Sequence, residues 1–232
     1  MRYIQKLDIP DFFLEDTELL QSKIVNASNK KVFWKKYKKR RKLKEYLLEN
    51  EQNYLCCYCE SKVEIDGEAK GGSHIEHLKP KSLDYDNLTF DYYNLVVSCQ
   101  GTCHNEDGDS SRNSCGHKKE DEYSEEEFLS PVIVENIRDY FRYETIENEK
   151  IKILPTDKTS IKAQYMIDIL HLNDERLLKA RFTALKDFEL SRDNIMEEFD
   201  VEVTAEEILE MLLTEDLAFI STLRYEYGIY EV

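Results

Sequence analysis

Apolar residues recur every three to four positions in several parts of this chain, which is the spacing that predicts amphipathic helices. One such stripe lies in residues 30–49, and others lie in residues 160–170 and 174–191. Thr204 and Glu207 have the spacing of a capping box and predict the start of a further helix. Both ends of the chain are therefore expected to be helical.

The middle of the chain has a different pattern, in which short apolar runs alternate with turn residues. Residues 54–66 predict a strand that turns through a cysteine knuckle. Residues 74–80 are expected to be extended and to stop at their terminal proline. Residues 91–97 predict a short helix or an ordered turn. Residues 104–114 are too polar to pack and predict a loop.

These patterns predict an α+β protein that is mostly helical and has a small metal-bound core in its centre. With 232 residues, of which 41% are apolar, the chain is long enough and apolar enough to bury a core. We divide it into a helical N-terminal segment (1–53), a central core (54–120) and a helical C-terminal region (121–232).

Charge is distributed unevenly. The net charge is -16, yet residues 28–44 carry ten lysines and arginines and no acid, which leaves 22 basic residues against 48 acidic ones elsewhere. The basic run is either a solvated helix face or a phosphate-binding face. The acidic remainder would repel DNA but could dock a basic partner protein.

The cellular compartment follows from segments that the sequence lacks. No apolar run approaches the roughly 20 residues of a membrane span, and the N-terminus has no apolar signal segment. We therefore expect a cytoplasmic protein without a membrane partner. Cytoplasmic thiols stay mostly reduced, so clustered cysteines are expected to be metal ligands rather than disulfides.

All the cysteines lie in one central stretch. They are Cys56, Cys57, Cys59, Cys99, Cys103 and Cys115. Cys56 and Cys59 form a Cys-x2-Cys pair, which can hold one tetrahedral metal ion from a tight turn. Cys57 is expected to point away as a buried free thiol.

The second pair of thiolates must come from farther along the chain. Cys99 with Cys103 is the local choice, and Cys99 with Cys115 is the alternative, with the polar loop between them. A closed site of four thiolates has no open coordination position. A zinc ion held there would be structural rather than catalytic.

Glu76 and His77 are the candidate catalytic pair. Adjacent residues point to opposite sides of a strand, but at a strand end they can straddle one site. Glu76 offers a hard oxygen ligand for Mg2+ or another divalent ion, and His77 can take a proton from water at neutral pH. Phosphodiester hydrolysis needs both a base and a metal ion.

Other residues are expected to support this pair. Asn94 can hydrogen-bond the backbone across the loop and fix the strand of His77. His74 lies three residues before His77 and is expected to face the opposite side as a supporting residue. His104 or His117 would supply a further metal ligand.

Taken together, these motifs are similar to those of HNH endonucleases. In order, they are Cys56-x2-Cys59-Glu60, His74-Ile-Glu-His-Leu-Lys-Pro-Lys-Ser82, Asn94-Leu95 with Cys99, and Cys115-Gly-His-Lys-Lys119. They resemble in particular the PtuB-like nucleases of Septu and retron-associated anti-phage systems. The resemblance covers residues 54–119, and a weaker one extends to residues 167–173 and Arg181.

The resemblance implies a ββα-metal (HNH, treble-clef-like) zinc-bound core, with His77 as general base, Glu76 as acidic metal ligand and Asn94 as central asparagine. The family usually has Asp before the histidine, so Glu76 can shift the metal preference. The PtuB-like pattern favours Cys-Gly with a nearby lysine, which selects Cys115 as the fourth zinc ligand. The last catalytic position stays open, because His104 follows Cys103 directly but only Gly116 follows Cys115.

The function that follows is a metal-dependent HNH endonuclease that hydrolyses DNA, with RNA not excluded as a target. It would hold a structural Zn2+ and use Mg2+ or Mn2+ for catalysis. The resemblance also implies a PtuA-like ABC-type ATPase as partner. The sequence contains no Gly-x4-Gly-Lys-Ser/Thr phosphate loop, so any control by ATP is expected to come from another chain. The alternative is a non-catalytic zinc-containing module that binds nucleic acid or acts as an adaptor.

Overall fold

The computed structural model describes residues 1–24, 31–65, 72–81, 86–101, 113–156, 160–199 and 217–229, with the pairs 203–204, 207–208 and 210–211. Cys103, His104 and most of the loop expected at 104–114 lie outside these residues. The helices are α1 (Asp11–Ile24), α2 (Lys31–Lys36), α3 (Arg40–Leu47), α4 (Gly116–Lys119), α5 (Ser160–Ile169), α6 (Glu175–Phe199) and α7 (Ile220–Glu226). The strands are β1 (Ser73–His77), β2 (Leu95–Cys99), β3 (Phe141–Ile146) and β4 (Lys150–Pro155).

The basic helix predicted over residues 30–49 appears as two helices, α2 and α3. They are separated at Tyr37, which is buried and packs edge-on against Phe13 with ring centroids 5.6 Å apart. Leu43 and Leu47 lie four residues apart on one face of α3 and are fully buried. That apolar face positions the basic side of α3 toward solvent.

Strands β1 and β2 form an antiparallel pair in which Ser73 lies opposite Cys99 and His77 lies opposite Leu95. The short helix or ordered turn predicted over residues 91–97 is confirmed only as a single turn over Tyr92–Asn94, because β2 begins at Leu95. Strand β2 was not predicted, because all five of its residues are buried and the alternating pattern of a half-exposed strand is absent.

Two expectations need correction. The regular strand predicted over residues 54–66 is absent from the described part, although the predicted cysteine turn is present and is closed by one isolated bridge between Leu55 and Lys62. The C-terminal region is not helical throughout, because β3 and β4 form an antiparallel hairpin. Alternating buried residues on each strand, such as Phe141 and Tyr143, favour strand over helix there.

The predicted capping box is confirmed. The Thr204 backbone N–H and hydroxyl each donate to a Glu207 carboxylate oxygen over 2.8 Å, and the Glu207 N–H donates back to the Thr204 hydroxyl over 3.2 Å. The reciprocal bonds satisfy backbone donors that a helix start leaves unpaired.

Both ends of the chain pack onto the cysteine turn through Glu60, which is buried. The Ser221 N–H and hydroxyl donate to the Glu60 carboxylate over 2.8 and 2.5 Å. The Met1 α-ammonium lies 3.1 Å from the same carboxylate. The result is a mixed α/β fold with small two-stranded sheets. In the parts of the chain that the structure describes, we find no helix with the length and apolar character needed to cross a membrane.

Candidate active site and metal centre

Four cysteines from three separate segments meet in the core. Cys56 and Cys59 lie in the turn before β1, Cys99 ends β2 and Cys115 directly precedes α4. Their sulfur atoms all lie within 4.8 Å of one another, and all four residues are buried. We call this set the thiolate cluster.

The spacing of the thiolate cluster fits a tetrahedral metal ion rather than a disulfide. The Cys59 and Cys99 sulfur atoms lie 3.8 Å apart. Zinc–sulfur bonds of about 2.3 Å in a tetrahedron place sulfur atoms about 3.8 Å apart, whereas a disulfide bond is about 2.05 Å long. Cys57 is buried outside the cluster, as the sequence predicts.

The thiols of the cluster shift one another's pKa values in a way that favours binding of a cation. Burial opposes ionisation of Cys56, but contacts from Cys115 and the other nearby thiols outweigh it and bring the pKa of Cys56 well below its usual value. The pKa of Cys115 is raised, chiefly by its contact with Cys56. The Cys56 thiolate therefore forms at the expense of Cys115, and a bound cation would favour ionisation of both.

A buried arginine from α6 adds positive charge to this region. Arg181 is 2% exposed, and its Nη2 donates to the Leu172 carbonyl over 2.7 Å. Burial lowers the pKa of Arg181, while Tyr143 and the cluster members Cys59 and Cys115 act in the opposite direction. A divalent ion held by four thiolates would keep a net negative charge, which the guanidinium would offset.

Strand β1 points Glu76 and His77 to opposite sides, as strand geometry requires. Glu76 faces α4, where its Oε1 lies 3.0 Å from Lys119 Nζ and accepts from the Tyr58 hydroxyl over 3.1 Å. Its Oε2 lies 3.5 Å from His74 Nε2. Burial opposes ionisation, but His74 and Lys119 outweigh it and lower the pKa of Glu76 to about 2. Glu76 is therefore a buried, ionised carboxylate.

Helix α4 approaches this carboxylate more closely than a side chain at its first residue would allow. A Cβ atom on Gly116 would lie 2.7 Å from His74 Nε2 and 2.8 Å from Glu76 Oε2. His117 follows, and its ring lies edge-on to that of His74 with centroids 4.5 Å apart. Two imidazoles and one carboxylate therefore gather where β1 meets α4.

On the other side of β1, His77 is 4% exposed and both ring nitrogens have partners. Nε2 lies 3.1 Å from the Thr89 carbonyl oxygen, and Nδ1 lies 3.0 Å from Lys81 Nζ. A carbonyl only accepts and an ammonium only donates, so the proton is on Nε2 and the lone pair is on Nδ1. Burial and then the Lys81 charge lower the pKa of His77 to about 3, so the ring is neutral at pH 7.

Asn94 joins the segments that flank the His77 side of the sheet. Its Nδ2 donates to the carbonyls of Lys79 and Leu88 over 3.0 and 3.1 Å. Its Oδ1 accepts from the Lys79 N–H over 2.8 Å. These are the backbone bonds across the loop that the sequence predicts, and they fix the chain directly after His77.

Sequence reasoning found the central pair but missed the side chains that surround it. Lys119, Tyr58 and Lys81 touch Glu76 or His77. Both lysines lie within the sequence motifs, but the motifs did not predict that they contact the pair. Trp34 is also unforeseen; its ring lies edge-on to His77 with centroids 4.6 Å apart.

Comparison with known proteins gives one informative relative. No family model matches the chain. Over 128 residues the chain is 31% identical to a protein of Vibrio cholerae serotype O1 biovar El Tor named "Retron Vc95 putative HNH endonuclease". The match covers 54% of this chain and 55% of that protein, so the chain spans about half the length of the curated relative. This similarity supports a relationship to an HNH nuclease in a retron context.

Proposed function

We propose that this protein is a metal-dependent HNH endonuclease that hydrolyses DNA phosphodiester bonds. The observation that carries the proposal is the placement of Glu76 and His77 at the end of β1, with Glu76 against α4 and the His77 ring against Thr89 and Lys81 on the other side of the strand. The order of two antiparallel strands and then a short helix agrees with the ββα-metal core that the sequence motifs imply. The similarity to a retron protein of that name points the same way.

His77 would act as the general base. The bond from Nε2 to the Thr89 carbonyl sets the tautomer and leaves the Nδ1 lone pair to accept a proton from water. In this structure Lys81 Nζ donates a hydrogen bond to that lone pair. A substrate phosphate is anionic, so it would draw the Lys81 ammonium toward itself and expose Nδ1 to the attacking water.

Glu76 would be the acidic ligand of the catalytic ion, and His117 would complete the site that the sequence left open. Lys119 and Tyr58 engage Oε1, so Oε2, which faces His74, is the oxygen available to a cation. When bound, a divalent ion would stabilise the charge that develops on the scissile phosphate and the leaving oxygen. Imidazole ligands favour transition metals, so Mn2+ should support cleavage at least as well as Mg2+.

The thiolate cluster would hold a structural Zn2+. That ion would connect the turn containing Cys59, the end of β2 at Cys99 and the start of α4 at Cys115. Since α4 carries His117 and Lys119, the zinc ion would place the helix against Glu76 without taking part in the reaction.

The partner would be a PtuA-like ABC-type ATPase in an anti-phage defence system. The sequence contains no phosphate-loop motif, so control by ATP would come from that second chain. Co-expression with a PtuA-like ATPase and affinity purification would test the complex. Recovery of the tagged protein without the ATPase would contradict this part of the proposal.

A non-catalytic module is the second candidate, and one observation favours it. Lys119 neutralises Glu76 and Lys81 covers His77, so the pair is satisfied internally, as structural residues are. Such a module would bind nucleic acid without cleaving it and without a divalent ion.

Cleavage of supercoiled plasmid separates the two candidates. The purified protein is incubated with Mg2+, Mn2+ or EDTA, alongside His77→Ala and the control His171→Ala, whose histidine contacts the Asn113 carbonyl. The endonuclease proposal expects ion-dependent cleavage by the wild-type and His171→Ala proteins and none by His77→Ala. Equal zinc content in all three proteins shows that the fold is intact.

A further inference from the structure

A cleft lies directly beside the candidate active site. It encloses about 330 Å³ and is lined on one side by Trp34, Arg40, Arg41 and Lys44, and on the other by residues 73–75 of β1. The volume suits one nucleotide-sized group. Among the described residues, no acid lines the cleft, although the chain carries a net charge of -16.

The three basic side chains of the cleft have different roles. Lys44 Nζ donates to the carbonyls of Ile65 and Ser73, so it joins α3 to β1 and is structural. Arg40 and Arg41 are exposed and occupy the first turn of α3, which contains no acid. Cations are unfavourable at a helix N-terminus, and a bound anion would relieve that repulsion.

Trp34 and His74 connect the cleft to the catalytic pair. Trp34 is partly exposed, and its ring contacts that of His77 at a centroid distance of 4.6 Å. His74 lines the cleft and its Nε2 lies 3.5 Å from Glu76 Oε2. A group bound in the cleft would therefore contact Trp34 and His74, which in turn contact His77 and Glu76.

An aromatic ring next to arginines is the combination that proteins use to bind single strands, because bases stack on the ring while the cations hold phosphates. Paired bases are already stacked within a duplex and cannot enter a cleft of this size. The cleft thus favours an unpaired nucleotide over an intact duplex.

We infer that this cleft binds an unpaired nucleotide of the substrate next to the scissile phosphate, with phosphates on Arg40 and Arg41 and the base on Trp34. The inference rests on the proposed nuclease function for its role, but the binding itself can be measured without cleavage. It assigns the basic run of the sequence to substrate binding rather than to a solvated face.

The test measures binding of fluorescent 12-nucleotide dT and rU single strands and of a 12-base-pair duplex in EDTA, with His77→Ala protein so that nothing is cleaved. Each phosphate contact contributes about 0.7 to the slope of log affinity against log salt for single strands. Replacing both Arg40 and Arg41 with glutamine should therefore reduce that slope by about 1.4. Trp34→Leu should weaken single-strand binding roughly 5- to 150-fold and change duplex binding much less.

The matched control removes the same charge elsewhere. Arg142→Gln with Lys179→Gln changes two exposed cations that pair with Glu144 and Glu175, and it should leave the salt slope unchanged. An unchanged slope in the Arg40 and Arg41 variant, or an equal loss in the control, overturns the inference. So does tighter binding of the duplex than of either single strand by the parent protein.

The same experiment separates this inference from the proposed function. If the wild-type protein binds single strands through the cleft but never cleaves with Mn2+ or Mg2+, the proposed nuclease function is contradicted. The assignment of the cleft to nucleotide binding then stands. If cleavage is unaffected by loss of Arg40, Arg41 and Trp34, the proposed role of the cleft is contradicted. The nuclease function then stands. If the double variant loses zinc, the single variant Arg40→Gln is used instead. It should reduce the slope of log affinity against log salt by about 0.7.

Discussion

Replacing Cys115 with alanine should remove the structural zinc ion, whereas the same change at Cys57 should not. Each substitution deletes one buried sulfur atom, since Cys115 is fully buried and Cys57 is 1% exposed. Of these two cysteines, only Cys115 belongs to the thiolate cluster. The pair of variants therefore separates loss of a metal ligand from loss of core packing.

The expected magnitudes differ clearly. Free zinc at about 1,000 times its Kd stabilises a protein by about 4 kcal/mol. For a chain of this length, each kcal/mol shifts the Tm by about 2–4 °C. Cys115→Ala should therefore lower the Tm by roughly 8–16 °C. Cys57→Ala should cost about 1 kcal/mol, as an average substitution does, and lower the Tm by about 2–4 °C.

Elemental analysis and thermal unfolding measure both quantities on the same samples. We expect about one zinc ion per chain in the wild-type and Cys57→Ala proteins, and much less than one in Cys115→Ala. Full zinc content in Cys115→Ala would refute the assignment of the fourth ligand. It would direct attention to Cys103, which lies outside the described residues.

Three further substitutions test how the site is built. Gly116→Ala should keep zinc but lower cleavage at least tenfold, because its Cβ would displace His74 and Glu76; unchanged kcat would contradict the close approach of α4. Lys119→Met removes the ammonium that pairs with the buried Glu76 carboxylate, so it should cost about 3–5 kcal/mol. Mn2+ should then raise the Tm of this variant more than that of the wild type, and equal Mn2+ shifts would show that Glu76 is not a metal ligand. Arg181→Met should weaken zinc binding by about 10- to 100-fold in a chelator competition, and unchanged affinity would remove the guanidinium from the charge balance of the cluster.

The parts of the site that could be read from the sequence are those with fixed local spacing. The Cys-x2-Cys turn, the neighbouring Glu76 and His77, and the capping box at Thr204 all depend on residues a few positions apart. The first pair of thiolates and the backbone bonds of Asn94 therefore lie where the sequence placed them.

The rest depends on contacts that no local pattern encodes. Strand β2 is buried on both faces, so its apolar run looks the same as a buried helix segment. Lys119 reaches Glu76 only because α4 folds back over β1, 43 residues away in sequence. Trp34 meets His77 through packing of the basic helices on the sheet, and nothing in residues 28–44 marks that contact.

The central claim is that the chain contains two separate metal sites, a thiolate cluster for structure and an exchangeable site at Glu76 for catalysis by His77. The most direct measurement is plasmid cleavage by protein that retains one zinc ion per chain, before and after addition of Mn2+, with His77→Ala in parallel. We predict no cleavage before Mn2+, cleavage after it, and none by His77→Ala at equal zinc content. Cleavage without an added divalent ion, or undiminished cleavage by His77→Ala, would contradict the claim.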